Sequence, residues 1–213
     1  MGAVDPEISG LPAHIDQRGA LQDLLEIQKV FDHFEVPLFL TFGALLGVYR
    51  DKKFIKYDDD LDLCVTAKID HRKRKEIGRM LLNIGFMPQP IGFNVYGVIE
   101  PSEAGYNGTD TTGIIVCQKR VRVTIFFFAE EPCDMHERDM VCIPKYGGKR
   151  LISTPARFFD KPDTIKFKGH TFLTPSPIKE YLAFTYGEDW KTPIKGKHAL
   201  QWGEMHEQQG VLE

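Results

Sequence analysis

Four aspartates crowd into five positions and run straight into an apolar stretch, Tyr57-Asp58-Asp59-Asp60-Leu61-Asp62-Leu63-Cys64-Val65. Neighbouring carboxylates repel one another, and bringing them to the edge of a core destabilises a fold unless a cation or hydrogen-bond donors offset the charge. The residues after the cluster are apolar, as in a buried strand. In an extended chain alternate side chains share a face, so Asp60 and Asp62 point one way while Leu61 and Leu63 face the core. Two carboxylates on one strand edge suit magnesium or manganese. Such an ion takes one or two protein carboxylates and completes its shell with water and substrate phosphate oxygens. The plainer alternative is an acidic turn that only keeps a loop solvated. A calcium loop of the EF-hand type is excluded, because its glycine and distal glutamate are not at the required places.

A second feature precedes the cluster. Gly43-Ala44-Leu45-Leu46-Gly47-Val48-Tyr49-Arg50 reads as a turn opening a short helix, with glycines that let backbone approach a neighbour or ligand closely. Its amides at Gly43 and Ala44 could hold a phosphate, neutralised by Arg50, Lys52, Lys53 or Lys56. A phosphate cradle followed by a metal-binding strand is a phosphoryl-transfer layout.

The rest of the chain frames these two features. The pattern predicts an N-terminal arm over 1–15, a helix from Asp16 to Glu35 before Pro37, a short strand from Leu38 to Thr41 and a strand from Leu61 to Thr66. A helix with a solvated basic face is predicted from Ile69 to Asn83. Strands follow near Phe93 to Glu100, Thr112 to Cys117 and Val121 to Phe128, the last two joined as a hairpin by Gln118-Lys119-Arg120. A strand pair turning at Lys168-Gly169-His170 and a helix from Pro177 to Tyr186, stopped by Gly187, complete the pattern. With 213 residues and 42% hydrophobic content, one α+β domain over 16–195 is expected, its helices flanking a mixed sheet. The segment 196–213 reads as a tail, and its closing Leu212-Glu213 is consistent with a cloning remnant.

Composition removes other classes. A net charge of −3 and a pI near 6.2 give no general cationic surface for a nucleic-acid backbone. No apolar run has the length of a membrane span or the form of a secretory signal. Cys64, Cys117, Cys133 and Cys142 form no close pair, which fits reduced thiols and a cytoplasmic protein. Cys133, His136 and Cys142 match no common zinc spacing and lack an evident fourth ligand, so they read as ordinary loop and strand residues.

Two separated stretches resemble one family. Thr41 to Arg50 followed by Phe54 to Leu63 is similar to the signature of the LicD and fukutin-related family, in which a G-T-L-L-G-x-x-R segment precedes W-D-D-D-I-D-I. Phe167 to Pro175, then Tyr181-Leu182 and Tyr186-Gly187-Glu188-Asp189-Trp190-Lys191-Thr192-Pro193, is similar to the family's closing Y-G-x-x-W-x-x-P pattern. The resemblance implies a nucleotidyltransferase-like, polymerase-beta-type fold. It also implies transfer of a phospho-alcohol group, such as phosphocholine or ribitol phosphate, from a CDP-activated donor to a glycan or small-molecule hydroxyl. Carried over by position, Asp60 and Asp62 become metal ligands, Gly43 lies at the donor phosphate and Asp58 borders the site as a third catalytic carboxylate. Lys56 and Tyr57 stand where the family often has Pro and Trp. Val123-Thr124-Ile125-Phe126 resembles the family's V-D-I-F, so Thr124 occupies the position of a further acid. A neutral hydroxyl replaces neither its charge nor its basicity. The alternatives are that Asp110, Glu130 or Glu131 fills the role, that the acceptor supplies its own base, or that catalysis is lost. Two other activities stay open: transfer of a nucleoside monophosphate from NTP, and nucleotide binding by a scaffold without turnover.

Overall fold

Asp16 starts the first helix by accepting a hydrogen bond from the Arg18 amide at 3.1 Å, which satisfies one of the amides a helix start leaves unpaired. The computed structural model describes residues 14–58, 60–88, 113–131, 139–142 and 152–193. Helix α1 spans Gln17–His33, followed by β1 Phe39–Leu40, α2 Phe42–Leu46, a π-helical turn Gly47–Asp51 and β2 Asp60–Val65. Then come α3 His71–Asn83, β3 Met87–Pro88, β4 Gly113–Gln118 and β5 Arg122–Phe127. A short run of β6 Ala129–Glu131, β7 Asp139–Cys142 and β8 Ile152–Pro155 leads to α4 Arg157–Asp160. The chain closes on β9 Asp163–Phe167, β10 His170–Thr174, α5 Ile178–Tyr186 and a 3₁₀ turn Glu188–Lys191.

The main sheet has seven strands in the order β3-β4-β5-β2-β1-β10-β9, and β6-β7-β8 form a separate antiparallel sheet. Two pairs in the main sheet are parallel, β2 with β5 and β1 with β10, so the sheet is mixed. One face carries Leu61, Leu63, Val123 and Ile125, all fully buried. Helices α1 and α3 pack together and cover this face. Phe31 lies 6.4 Å from Phe127 between ring centroids, and the Arg74 guanidinium sits 5.7 Å over the same ring. The opposite face, on the α2 side, carries the aspartates.

A buried acid fixes the hairpin that presents β5. Asp23 of α1 is 0% exposed and accepts from the Arg120 and Val121 amides at 2.8 and 2.9 Å and from Arg120 Nη1 at 2.6 Å. Glu26, one turn on, accepts from Lys119 at 2.7 Å and Arg120 at 3.1 Å. Burial works to raise the Glu26 carboxyl, but the Lys119 and Arg120 hydrogen bonds and charges hold it below its ordinary value. Lys119 also donates to the Ile84 carbonyl at 2.6 Å, so one turn joins α1, the end of α3 and the sheet. We expect Asp23→Asn to lower unfolding free energy by about 2 kcal/mol, because an amide that keeps its oxygen on the two backbone donors turns its NH₂ toward the Arg120 guanidinium and loses the charge that pairs with it. Chemical denaturation measures this, and a parental midpoint would show that the clamp contributes nothing.

Helix α1 ends at His33, ahead of Pro37, with Glu35 in the left-handed region at φ 54°. The glycine-bearing segment read as a turn opening a short helix is already helical at Phe42, so Gly43 sits inside the first turn of α2. The three-stranded sheet has no counterpart in the sequence-based expectations. The strand expected at Phe93 to Glu100, with Asp59, Asp110, Cys133 and His136, lies outside the described residues. Cys64 and Cys117 are buried without a disulfide, and burial, then the charge of Asp23, pushes the Cys117 thiol up to about 12.

Candidate active site

Strand β2 leaves Leu61 and Leu63 buried and Asp60 and Asp62 half-exposed, the alternation predicted from sequence. In the parallel register Asp60 pairs with Arg122 and Asp62 with Thr124. Paired residues on neighbouring strands share a face. Thr124 is 8% exposed, and its Oγ1 donates to Asp60 Oδ2 at 2.7 Å. The residue at the missing acid's place therefore lies in the cluster, as a donor that fixes Asp60 and adds no charge. Of the proposed substitutes, Glu130 is exposed on β6.

Three elements bring Gly43 and Asp58 to the same place. The Thr41 amide and hydroxyl reach the Asp62 carbonyl at 3.3 and 3.4 Å, tying the start of α2 to β2. Phe42 then takes φ 46°, a costly left-handed conformation for a bulky residue. Its ring is held edge-on to Phe126 at 5.4 Å and against Tyr181 at 6.2 Å. Gly47 lets the chain double back, since a Cβ there would lie 2.7 Å from the Lys53 carbonyl oxygen and 2.9 Å from the Ile55 amide. Gln17 clamps both backbone groups of Phe54 at 2.9 Å, and the Ile15 amide donates to the Lys56 carbonyl at 3.1 Å. This return path lays Asp58 over Gly43. A methyl group at Gly43 would fall on the Asp58 carboxylate, 3.5 Å from its Cγ, and lie 3.4 Å from Asp62 Oδ2. The bare Cα of Gly43 is thus where the Asp58 and Asp62 carboxylates converge.

The basic residues named from sequence are distributed differently. Arg50 is 13% exposed and forms a two-bond fork with Asp51 at 2.9 Å while donating to the Trp190 carbonyl at 3.2 Å. With Tyr49 5.9 Å from the Trp190 ring, Arg50 locks the closing segment onto the π-helical turn. Lys52 donates to the Tyr49 carbonyl at 3.0 Å and lies 5.4 Å over its ring. Lys53 is exposed, and Ala44 is buried within α2.

Sequence reasoning uses Tyr186 only as part of a closing pattern, although it ends α5 beside the cluster. Burial first, then the charge of Asp62, with Tyr181, Asp58 and Asp60 behind it, pushes its phenol well above the ordinary range. It remains a hydrogen-bond donor at working pH. Among the described residues no three or more His, Cys, Asp or Glu side chains form a metal cage. The paired carboxylates instead fit a hard cation that is shared with a substrate phosphate.

The model of the LicD/FKTN/FKRP nucleotidyltransferase domain matches residues 35–177. The chain belongs to this family. It is similar to the ribitol-5-phosphate transferase FKTN of Macaca fascicularis and of Homo sapiens, each 27% identical over 180 residues, covering 84% of this chain and 34% of the relative. It spans about a third of the length of these curated relatives. Among solved structures, lincomycin-bound lincosamide antibiotic adenylyltransferase LnuA aligns with TM-score 0.48 at 12% identity, covering 90% of this chain and 97% of that one. The antibiotic-resistance factor ANT(2'')-Ia aligns with TM-score 0.47 at 12% identity, covering 92% and 87%. The LicD-family fold is the nucleotidyltransferase-like α+β architecture expected from the motifs. No helix among the described residues is long and apolar enough to cross a membrane.

Proposed function

We propose that this chain transfers a phospho-alcohol group, ribitol-phosphate- or phosphocholine-like, from a CDP-activated donor to a glycan or small-molecule hydroxyl, with Mg²⁺ or Mn²⁺ held by Asp60 and Asp62. The observation that carries the reading is the convergence of the Asp58 and Asp62 carboxylates over Gly43, on a face where Thr124 fixes Asp60. Family membership and the ribitol-5-phosphate transferase activity of FKTN support the reaction class. A bound divalent cation would spread the charge that develops on the donor diphosphate.

The chain's own residues do the rest. Asp60, held by Thr124, and Asp62, on the same strand face, fix where a cation and the donor phosphates sit. Gly43, bare at its Cα, leaves room for the Asp58 carboxylate to lie beside Asp62. Thr124 gives its single proton to Asp60, so Asp58 takes the proton of the acceptor hydroxyl as its oxygen attacks phosphorus and CMP leaves. Tyr186, kept protonated, donates to an anionic oxygen at the site.

Incubation with CDP-ribitol or CDP-choline, a sugar-alcohol acceptor and Mg²⁺ or Mn²⁺ is expected to release CMP. Pyrophosphate from NTP with no CMP from either CDP-alcohol would replace this reading with nucleotidyl transfer. Nucleotide binding without any product would replace it with a scaffold.

A further inference from the structure

We infer that Arg122 is the side chain that holds a donor phosphate at this site, an inference that rests on the donor reading above. Of the cations expected from sequence to hold that phosphate, Arg50 is forked onto Asp51 and bonded to Trp190, Lys52 is laid on Tyr49, Lys56 lies over the Tyr57 ring and Lys53 is exposed. Arg122 stands directly opposite Asp60 in the parallel β2–β5 register and two residues before Thr124. The 2.7 Å bond from Thr124 to Asp60 identifies that face of β5 as the aspartate face, and the two-residue period of a strand puts Arg122 on it as well. Arg122 is half-buried, at a depth where a charge is screened less than on open surface.

Its anchorage is equally specific. The hairpin turn immediately before it is clamped by Asp23 through the Arg120 and Val121 amides, so the start of β5 cannot slide against β2 without breaking buried bonds. A guanidinium has five donors in a planar fork, so it can satisfy a neighbouring carboxylate and still bind phosphate oxygens. That sharing suits a site where aspartates and a diphosphate must lie within a few ångströms of each other. The competing role for Arg122 is to neutralise Asp60 in the resting protein, with no contact to substrate.

Phosphate dependence separates the two roles. Binding of CDP, CMP and cytidine is measured by calorimetry with MgCl₂ for the parent, Arg122→Gln and Arg122→Lys, together with each protein's ligand-free melting temperature. We expect Arg122→Gln to lose about ten- to a hundredfold in CDP affinity, less for CMP and nothing for cytidine. Arg122→Lys should fall between, because it keeps the charge and loses the fork. Parental CDP affinity in Arg122→Gln, or equal losses for all three ligands, overturns the assignment while leaving the donor reading intact. If Arg122→Gln does not fold, Arg122→Lys decides by the same comparison. If the folded parent binds no cytidine nucleotide with Mg²⁺ or Mn²⁺, the donor reading itself fails and the role of Arg122 fails with it.

Discussion

Asp62→Asn and Asp60→Asn are each expected to lower CMP release by about a thousandfold, the scale seen when one preorganised electrostatic group is lost from an active site. Melting temperature without metal should hold or rise. Asn has nearly the shape of Asp and keeps a carbonyl oxygen, so at position 60 it can still accept from Thr124. Removing a charge also relieves repulsion among Asp58, Asp60 and Asp62. Activity and stability therefore move apart, which separates a working site from a solvated acidic turn. In the turn reading, both variants would release CMP at the parental rate. Metal dependence supplies a second axis, because added Mg²⁺ or Mn²⁺ should raise the parent's melting temperature by mass action and leave the variants' unchanged.

The parts of this site legible in the sequence are those written in local periodicity. Strand alternation places Asp60 and Asp62 on a shared face, because the period of two holds wherever a strand buries one side. Helical spacing marks α1, α3 and α5, and Gln118-Lys119-Arg120 marks the β4–β5 hairpin. What depends on non-local pairing cannot be read this way. Arg122 joins the site only through the parallel register of β5 on β2, which is set by packing between segments about 60 residues apart. Arg50 reads as a phosphate ligand because nothing local announces its bond to Trp190, 140 positions away. Asp23 falls among the polar positions of α1 in a helical reading, yet it is fully buried under the hairpin turn. The β6-β7-β8 sheet has strands of three or four residues, too short for alternation to stand out.

Gly43→Ala tests whether the convergence over that Cα is functional. Gly43 lies in a helix and outside the left-handed region, so its backbone accepts alanine, which is a better helix former by up to about 1 kcal/mol. The new Cβ instead meets the Asp58 carboxylate, the movable end of a side chain, which must swing away from Asp62. The expected outcome is a loss of about a hundredfold in CMP release, on the scale of a misplacement of about 1 Å, with a melting temperature close to the parent's. A loss of melting temperature with parental affinity in the folded fraction would assign Gly43 to backbone shape alone. The route through Asp58 can be isolated by a double-mutant cycle. Asp58→Ala removes the group that the Cβ strikes, so adding Gly43→Ala to Asp58→Ala should cost far less than adding it to the parent. Additive losses would mean that the methyl group obstructs the donor or Asp62 directly, 3.4 Å from its Oδ2, and that the position of Asp58 is incidental to the effect of Gly43.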